Sequence, residues 1–264
     1  MSAVVLTGGS SGIGKSFIEL CAKLRPELCF CNLSRSAPVI NLPQLKLRHV
    51  PCDLSDAEAV KRGAEAVLEW LSREAPAGRV LLINNSGFGA YGRFPEPNLS
   101  EQLQLLDVNI RALVELTGRL LPELKKRGGA VLNVASTAAF QAMPFMATYG
   151  ASKAFVLHWS VALDEELRGS GVRSIAVCPG PTETKFFERA GLKPGSVRAE
   201  RATGMTAEAV VEEALRGLAA GRAVVVAGFR NKLTAIAGAL APKRFGAWVA
   251  GKLVARSRLA QLGR

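Results

Sequence analysis

Three polar residues have types and spacing that would suit proton transfer: Tyr149, Lys153 and, thirteen residues before the tyrosine, Ser136. Residues four apart on a helix share a face, so a helix here would bring the phenol and the ammonium together. A nearby cation favours phenolate, which predicts a Tyr149 pKa below the usual value of about 10. Such a tyrosine acts as a general acid or base near neutral pH, while a serine hydroxyl holds a substrate oxygen. The pattern arises by chance in many helices, so the surrounding elements decide its meaning.

A glycine-rich turn follows the first predicted strand, Ala3–Thr7, and precedes a predicted helix from Ile13 to about Leu24. Glycines let the backbone approach a pyrophosphate, and a helix N-terminus supplies amide donors and the positive end of a dipole. A strand before the turn and a helix after it are the context that a dinucleotide site requires. The residues expected at the phosphates are Gly8, Ser10, Ser11, Gly12, Ile13 and Gly14.

The rest of the chain alternates short apolar strands with longer helical stretches. The predicted strands are Leu28–Ser34, Leu45–Cys52, Arg79–Asn84, Ala130–Ala135, Val172–Cys178 and Ala223–Ala227, and the predicted helices are Asp56–Arg73, Leu99–Lys126, Ala147–Arg168 and Ala207–Ala219. This alternation implies βαβ units and a parallel sheet with helices on both faces. We therefore expect an α/β domain over residues 1–229, with a Rossmann-type doubly wound sheet of about seven strands.

The glycine spacing, G-x-x-x-G-x-G, resembles that of the short-chain dehydrogenase/reductase family. Asn84-Asn85-Ser86-Gly87 is similar to the family's Asn-Asn-Ala-Gly, and Ser136, Tyr149, Lys153 and Asn109 match its four catalytic positions. The resemblance covers Ala3 to about Ala227 and is strongest for a subgroup of 3-oxoacyl and hydroxysteroid reductases with a C-terminal extension. It implies that the cofactor contacts Asp53, Leu54, Asn85, Tyr149, Lys153, Pro179, Gly180, Thr182 and Thr184.

The resemblance also implies a reaction, the interconversion of a carbonyl and a secondary alcohol. Tyr149 would give its proton to the substrate oxygen, Lys153 would lower the Tyr149 pKa and bind the nicotinamide ribose, and Ser136 would polarise the carbonyl. Asn109 would support a water that passes protons to Lys153. The alternatives are a non-catalytic NADP-binding regulator and a membrane-attached scaffold, although such regulators usually lose the tyrosine or lysine. An epimerase or dehydratase is disfavoured by the glycine spacing, and a homodimer or homotetramer is expected.

The end of the second strand bears on cofactor choice. An acidic residue there binds the ribose 2′-hydroxyl in NAD enzymes, whereas a basic residue accommodates the 2′-phosphate of NADP. Here Ser34 and Arg35 end the strand, with no acid beside them. Arg35 could be only a solvated loop charge, but the sequence favours NADP(H) over NAD(H).

The substrate side is expected to be apolar. The residues assigned to it are Phe88, Phe140, Met143, Phe145, Phe186 and Phe187. They suit a hydrophobic carbonyl compound such as a fatty acyl, steroid or aromatic ketone, although apolar side chains also fill ordinary cores. By resemblance, a substrate lid lies at about 185–205, and its basic residues would suit an acyl thioester that carries phosphates.

The net charge of +12 is concentrated near the C-terminus, because no acidic residue follows Glu213 and ten basic ones do. Nucleic-acid binding by the main domain is therefore poorly supported. Residues 230–264 form a basic extension with an apolar stripe at Phe245, Trp248, Val249 and Leu253. The stripe could lie on an anionic bilayer, or it could pack on the domain or a neighbouring subunit; we favour packing.

Cysteine and histidine usage gives weaker indications. The five cysteines are odd in number and form no CxxC pair, which predicts reduced thiols. Two histidines exclude a His-rich metal site, and we expect no metal. The sequence shows no leader pattern and no uncharged apolar run of about 18 residues, which predicts a cytoplasmic protein, with peripheral contact on the inner membrane face as the alternative.

Overall fold

Seven parallel strands form the centre of the molecule, in the order β3-β2-β1-β4-β5-β6-β7. The strands are β1 (Ala3–Thr7), β2 (Cys29–Ser34), β3 (Lys46–Pro51), β4 (Val80–Asn84), β5 (Gly129–Val134), β6 (Val172–Cys178) and β7 (Val224–Val226). The structure is a computed structural model that describes residues 1–75, 77–96, 98–184, 186 and 204–259. The predicted doubly wound α/β fold of about seven strands is confirmed.

Helices cover both faces of this sheet. They are α1 (Gly12–Leu24), α2 (Ala57–Arg73), α3 (Leu99–Leu106), α4 (Ala112–Arg127), α5 (Ala147–Glu166), α6 (Ala207–Ala219), α7 (Phe229–Leu240) and α8 (Lys243–Leu259). Side chains alternate between faces along a strand, so Val4 packs with α1 and α6 while Val5 packs with α2 and α4. Burial on both faces explains why these strands read as continuous apolar runs.

The predicted long helix Leu99–Lys126 is interrupted. A single π turn, Asp107–Arg111, separates α3 from α4 and adds a residue to the helical register. The inserted turn places Asn109 against the loop after β4, where its amide contacts both backbone groups of Phe88. Apolar periodicity does not reveal such a turn, because the helix continues on either side of it.

The strand order reverses at β1, which pairs with β2 on one side and β4 on the other. Ligands of open α/β sheets bind outside the carboxyl ends of the strands at such a switch point. The Thr7 hydroxyl accepts hydrogen bonds from the Asn85 and Ser86 amides, each at 3.0 Å. The Asn85 side-chain amide donates to the carbonyls of Thr7 at 3.0 Å and Gly8 at 3.2 Å. The two strand ends are thus held together beneath a shared crevice.

The C-terminal helices lie over the same edge of the sheet. A Cβ added at Gly238 of α7 would lie 2.6 Å from Gln141 Oε1, and one at Gly251 of α8 would lie 3.3 Å from Pro144 Cγ. The Tyr91 hydroxyl donates to the Val254 carbonyl at 2.7 Å. Among the described residues, no helix is both long and apolar enough to cross a bilayer.

The predicted apolar stripe of the extension behaves differently from our expectation. Phe245 and Trp248 are exposed, at 57% and 56%, and so is Leu253, while Val249 is half-buried. The face of α8 that meets the domain carries Ala250, which is 4% exposed. The structure therefore does not pack the whole stripe on the domain, and packing on a neighbouring subunit, the other part of the expectation, stays a prediction.

Candidate active site

A cleft of about 680 Å³ opens at the carboxyl edge of the sheet. It brings together Gly8, Ser10, Ser11, Gly12, Ile13, Ser34, Arg35, Asp53, Leu54, Asn85, Ser136, Tyr149, Lys153, Pro179, Gly180, Thr182 and Thr184. Of the predicted site residues, Gly14 and Asn109 do not line it and lie behind its wall. The cleft has a polar half around the glycine turn and an apolar half beyond Tyr149.

The glycine turn depends on backbone conformations and close approaches that side chains would prevent. Gly8 and Gly12 have φ values of +72° and +55°, in the left-handed region that favours glycine. A Cβ at Gly14 would lie 2.3 Å from the Gly8 carbonyl oxygen, so α1 could not pack so close to the turn. Both constraints explain the spacing of the three glycines.

The N-terminus of α1 faces the cleft with its amide donors uncapped by a side chain. Ser11 is the N-cap residue in an extended conformation, but its hydroxyl makes no capping hydrogen bond, and the first turn has no acidic residue. Unpaired amides and the helix dipole favour a negative group at this position. The donor set therefore fits the pyrophosphate of a dinucleotide.

A buried amide on β2 supports the turn, and our sequence reasoning missed it. The Asn32 side-chain oxygen accepts a 2.7 Å hydrogen bond from the Gly9 amide. Its nitrogen donates to Ser34 Oγ at 2.7 Å and to His49 Nδ1 at 3.2 Å. Asn32 thus links the phosphate turn to the end of β2. A signal was present, since Asn32 is an amide within an otherwise apolar strand.

The end of β2 carries the groups predicted to select the cofactor. Arg35 is exposed and lines the cleft, as do Ser34 and Ser36. The Ser34 hydroxyl donates to the Ser36 carbonyl at 2.7 Å, so it shapes this loop. Across the cleft, the Ser55 amide and hydroxyl, with a smaller contribution from Arg35, hold the pKa of Asp53 below its usual range.

Tyr149 and Lys153 lie one turn apart on α5, as predicted, and both side chains are buried. The Lys153 Nζ lies 5.9 Å from the centre of the Tyr149 ring. It donates a 2.8 Å hydrogen bond to the Val134 carbonyl at the end of β5. The strand end therefore positions the ammonium beside the phenol.

The predicted lowering of the Tyr149 pKa is wrong for this structure. Burial raises the pKa of Tyr149 to about 12, because a phenolate would lose its hydration. A hydrogen bond with the Ser136 hydroxyl opposes this shift in pKa only in part. Burial also lowers the pKa of Lys153 to about 8, with a small opposing effect from Cys178. Sequence spacing places the cation correctly but cannot show how strongly the site is desolvated.

Ser136 follows β5 and begins a short 3₁₀ turn, Thr137–Phe140. Its hydroxyl accepts a 3.1 Å hydrogen bond from the Ala138 amide. That contact fixes the side chain, which faces the cleft beside Tyr149. The two hydroxyls therefore converge on one position, where a substrate oxygen would find two hydrogen-bond donors.

Asn109 lies behind Gly87 and is 1% exposed. Its side-chain nitrogen donates to the Phe88 carbonyl and to Ser152 Oγ, each at 3.1 Å. A Cβ at Gly87 would lie 3.0 Å from Asn109 Oδ1 and 3.2 Å from Lys153 Nζ. The absence of a side chain at Gly87 leaves space between the amide and the ammonium.

The apolar half of the cleft agrees only partly with the prediction. Phe88, Met143 and Phe186 line it, and the Phe186 and Tyr149 ring centres are 5.3 Å apart. Phe140 packs in a core cluster, and Phe145, at φ 68°, lies under the Arg93 guanidinium; neither lines the cleft. Phe187 and most of the predicted lid at 185–205 lie outside the described residues.

Several cleft residues were missed by sequence reasoning. Tyr91, Gln141, Met146, Thr234 and Val254 line the apolar half or its rim. Thr234 and Val254 belong to α7 and α8, so the extension forms part of the cleft wall. Only the tertiary packing of the extension reveals this, because Thr234 and Val254 lie at least 48 positions from the other apolar residues of the cleft.

Comparison with known proteins identifies relatives of most of the chain. A family described as "short chain dehydrogenase" matches residues 2–194, which include the glycine turn, Ser136, Tyr149 and Lys153. The ketoacyl reductase HetN of Nostoc sp. (strain PCC 7120) is 32% identical over 186 residues, which cover 67% of this chain and 62% of that protein.

Solved structures give the same result for the fold. A short-chain dehydrogenase from Sphingobium yanoikuyae in complex with NADPH has a TM-score of 0.71 at 27% identity, covering 90% of this chain and 93% of that one. A short-chain dehydrogenase/reductase from Burkholderia phymatum in complex with NAD has a TM-score of 0.73 at 22% identity, covering 89% and 92%. The second likeness, at its low identity, concerns the fold alone.

Proposed function

Because this chain belongs to the short-chain dehydrogenase family, we propose that it reduces a hydrophobic carbonyl compound with NADPH, using Tyr149 as the general acid. The chain is an oxidoreductase acting on CH–OH and C=O groups with a nicotinamide cofactor. The observation that carries the proposal is the convergence of the Ser136 and Tyr149 hydroxyls between the polar and apolar halves of the cleft.

The proposed chemistry at this point is proton transfer with charge stabilisation. With a pKa of about 12, Tyr149 carries its proton at neutral pH and can donate it to a carbonyl oxygen that gains negative charge. Ser136 donates a second hydrogen bond to that oxygen. A nicotinamide cofactor, when bound, supplies the hydride. Lys153, 5.9 Å from the ring centre, stabilises the phenolate that remains.

Asn109 and Gly87 support the proton path proposed for this site. Asn109 is fixed by the Phe88 backbone and Ser152, and its oxygen borders the space beside Lys153 Nζ. A water in that space would have an amide oxygen and an ammonium as partners. We assign Asn109 the role of holding that water, which would return a proton to Lys153 once Lys153 has reprotonated the Tyr149 phenolate.

The proposed preference for NADP(H) rests on the end of β2. Arg35 lines the cleft, and Ser34 to Ser36 provide no carboxylate that would repel a 2′-phosphate. The guanidinium suits bidentate contact with that phosphate. The relative from Sphingobium yanoikuyae contains NADPH, which supports the same preference, while the Burkholderia phymatum protein contains NAD.

The proposed substrate class follows from the apolar half of the cleft. Phe88, Met143, Met146 and Phe186 would surround the carbon chain or ring next to the reacting carbonyl. The relative HetN is named a ketoacyl reductase, which supports an acyl substrate.

We further propose that the protein forms a homodimer or homotetramer in the cytoplasm. Light scattering on the purified protein would measure the number of subunits.

The test is a panel of carbonyl compounds assayed with NADPH and with NADH, read by the absorbance of the reduced cofactor. The panel should include a 3-oxoacyl thioester, a ketosteroid, an aryl ketone and a short polar ketone. We expect turnover with NADPH and higher kcat/KM for the apolar compounds. Binding of NADPH without turnover of any compound would favour the non-catalytic regulator instead.

A further inference from the structure

Helices α7 and α8 expose an unusual amount of apolar surface. Along α7 the exposed residues recur at one face, with Phe229 74%, Ile236 56% and Leu240 80% exposed. On α8, Phe245 and Trp248 are more than half exposed, and their rings stack with centres 6.0 Å apart. We call these five residues together with Leu233 the apolar face. Exposed patches of this kind mark interaction sites.

The two helices that carry this face have charges of one sign. No acidic residue follows Glu213, whereas Arg230, Lys243, Arg244 and Lys252 are exposed on the two helices. Lys252 Nζ lies 4.0 Å from the centre of the Trp248 ring, so a cation sits directly on the apolar face. Exposed aromatic and aliphatic side chains on helices that carry cations and no carboxylate of their own are the composition of a surface that binds anionic lipid.

The two helices that carry the apolar face also line the substrate side of the cleft. Thr234 on α7 and Val254 on α8 line the cleft, one residue from Leu233 and six from Trp248 along the chain. The Tyr91 hydroxyl, which also lines the cleft, donates to the Val254 carbonyl. The helices that would meet a covering surface therefore also form part of the cleft wall.

We propose that the apolar face docks on an anionic phospholipid bilayer and that docking presents the cleft to substrates dissolved in that bilayer. The occupant is the membrane surface, because a second copy of this chain would place two strongly basic faces against each other. Docking takes place at the interface, since no described helix is long and apolar enough to span. The part concerning substrates rests on the proposed function; the docking itself does not.

Sedimentation with vesicles tests the docking. The full chain is mixed with vesicles of phosphatidylcholine alone or with phosphatidylglycerol, and we expect at least about tenfold more binding to the anionic vesicles. Lys243→Glu with Arg244→Glu should reduce that binding by at least about tenfold, since two cations become anions. Lys125→Glu with Lys126→Glu changes the charge equally at the far end of α4 and should bind as the wild type does.

The following outcomes would contradict the proposed docking. Equal binding to neutral and anionic vesicles, or equal loss in both double variants, would remove the role of this basic face. Trp248→Ser keeps the charge and should also weaken binding, by about fivefold. If Trp248→Ser leaves vesicle binding unchanged but abolishes self-association in light scattering, the apolar face is an interface between copies.

Activity measurements separate the docking from the proposed function. A long-chain ketone dissolved in anionic vesicles should lose at least about fivefold in kcat/KM when Trp248 becomes serine. A short water-soluble ketone should react equally with both proteins. Equal loss for both ketones would overturn the link between docking and substrate supply. If neither ketone reacts with the wild type, the proposed reaction fails while the sedimentation result still stands.

Discussion

The Lys153 ammonium lies 5.9 Å from the centre of the Tyr149 ring, and burial moves the pKa values of the two groups in opposite directions. The phenol, with a pKa of about 12, holds its proton more firmly than a free tyrosine. The ammonium, with a pKa of about 8, holds its proton less firmly than a free lysine. Burial of this cation, which has one backbone hydrogen bond, therefore lowers the free energy of unfolding.

Replacing Lys153 with methionine should stabilise the protein at pH 7. The lowered pKa of Lys153 corresponds to about 3 kcal/mol of destabilisation, and losing its bond to Val134 would cost about 1 kcal/mol. We therefore expect Lys153→Met to raise the free energy of unfolding by about 2 kcal/mol, measured by urea denaturation, while turnover is lost.

The pH dependence of this difference provides the control. The unfolded chain binds more protons at this lysine between pH 8 and pH 10.5, so the wild type gains stability there as pH rises. The advantage of Lys153→Met should therefore be complete below pH 8, shrink as pH rises and become a disadvantage of about 1 kcal/mol near pH 10.5, where only the lost bond to Val134 remains. The cysteines can also titrate at alkaline pH, but both proteins contain all of them. The difference in unfolding free energy between the two proteins therefore reports on Lys153 alone. A constant difference would contradict the assignment.

Tyr149→Phe should separate binding from chemistry. The phenyl ring keeps its contact with Phe186 but loses the proton and the hydrogen bond to Ser136. We expect NADPH affinity, measured by fluorescence titration, to change less than about twofold, while turnover falls by about a thousandfold. Retained turnover would exclude Tyr149 as the proton donor.

Arg35→Asp should alter cofactor preference. The change removes the proposed phosphate partner and adds a carboxylate that repels a phosphate and accepts from a ribose hydroxyl. We expect KM for NADPH to rise at least about tenfold while KM for NADH changes less than about twofold. Arg222→Asp makes the same charge change before β7, at the other end of the sheet, and should leave both constants unchanged. Equal changes for both cofactors with Arg35→Asp would contradict the proposal.

Asn32→Leu should weaken dinucleotide binding, although Asn32 does not line the cleft. The substitution leaves the Gly9 amide without its buried acceptor, which costs about 2 kcal/mol of stability. We expect the Kd for NADPH to rise at least about fivefold, because the phosphate turn loses its support.

Asn133→Leu is the matched control for this variant. Asn133 is also buried, and it bonds Asn84 and Ser160 beneath the sheet edge. The Asn133→Leu substitution should lower the free energy of unfolding in urea by a similar amount and leave the Kd for NADPH unchanged. If both variants raise the Kd equally, Asn32 has only a general structural role.

Sequence patterns predicted those features that depend on local rules. The strands are buried on both faces, so their composition marks them, and the glycine turn is marked by close approaches such as that of Gly14 to Gly8. The spacing of four between Tyr149 and Lys153 gives one helical turn whatever surrounds them. These regularities give the sheet, the turn and the face of α5 that carries the two side chains.

Other features depend on what packs where, and no local pattern encodes that. The π turn places Asn109 against the backbone of Phe88, 21 residues earlier in the chain, and apolar periodicity does not encode that contact. Phe140 and Phe145 are of the same residue type as the phenylalanines that line the cleft. The 3₁₀ turn directs Phe140 away from the cleft, and a positive φ does the same for Phe145. The raised pKa of Tyr149 reflects burial by the whole fold.

The division of the cleft into two halves has a consequence for protein engineering. The residues of the apolar half, such as Tyr91, Met143, Met146 and Val254, come from loops and the C-terminal helix rather than from the strands. Their side chains take no part in the hydrogen-bond ladder of the sheet or in the glycine turn. A mutant library confined to these four positions could therefore be screened for new substrates while the dinucleotide scaffold is left intact.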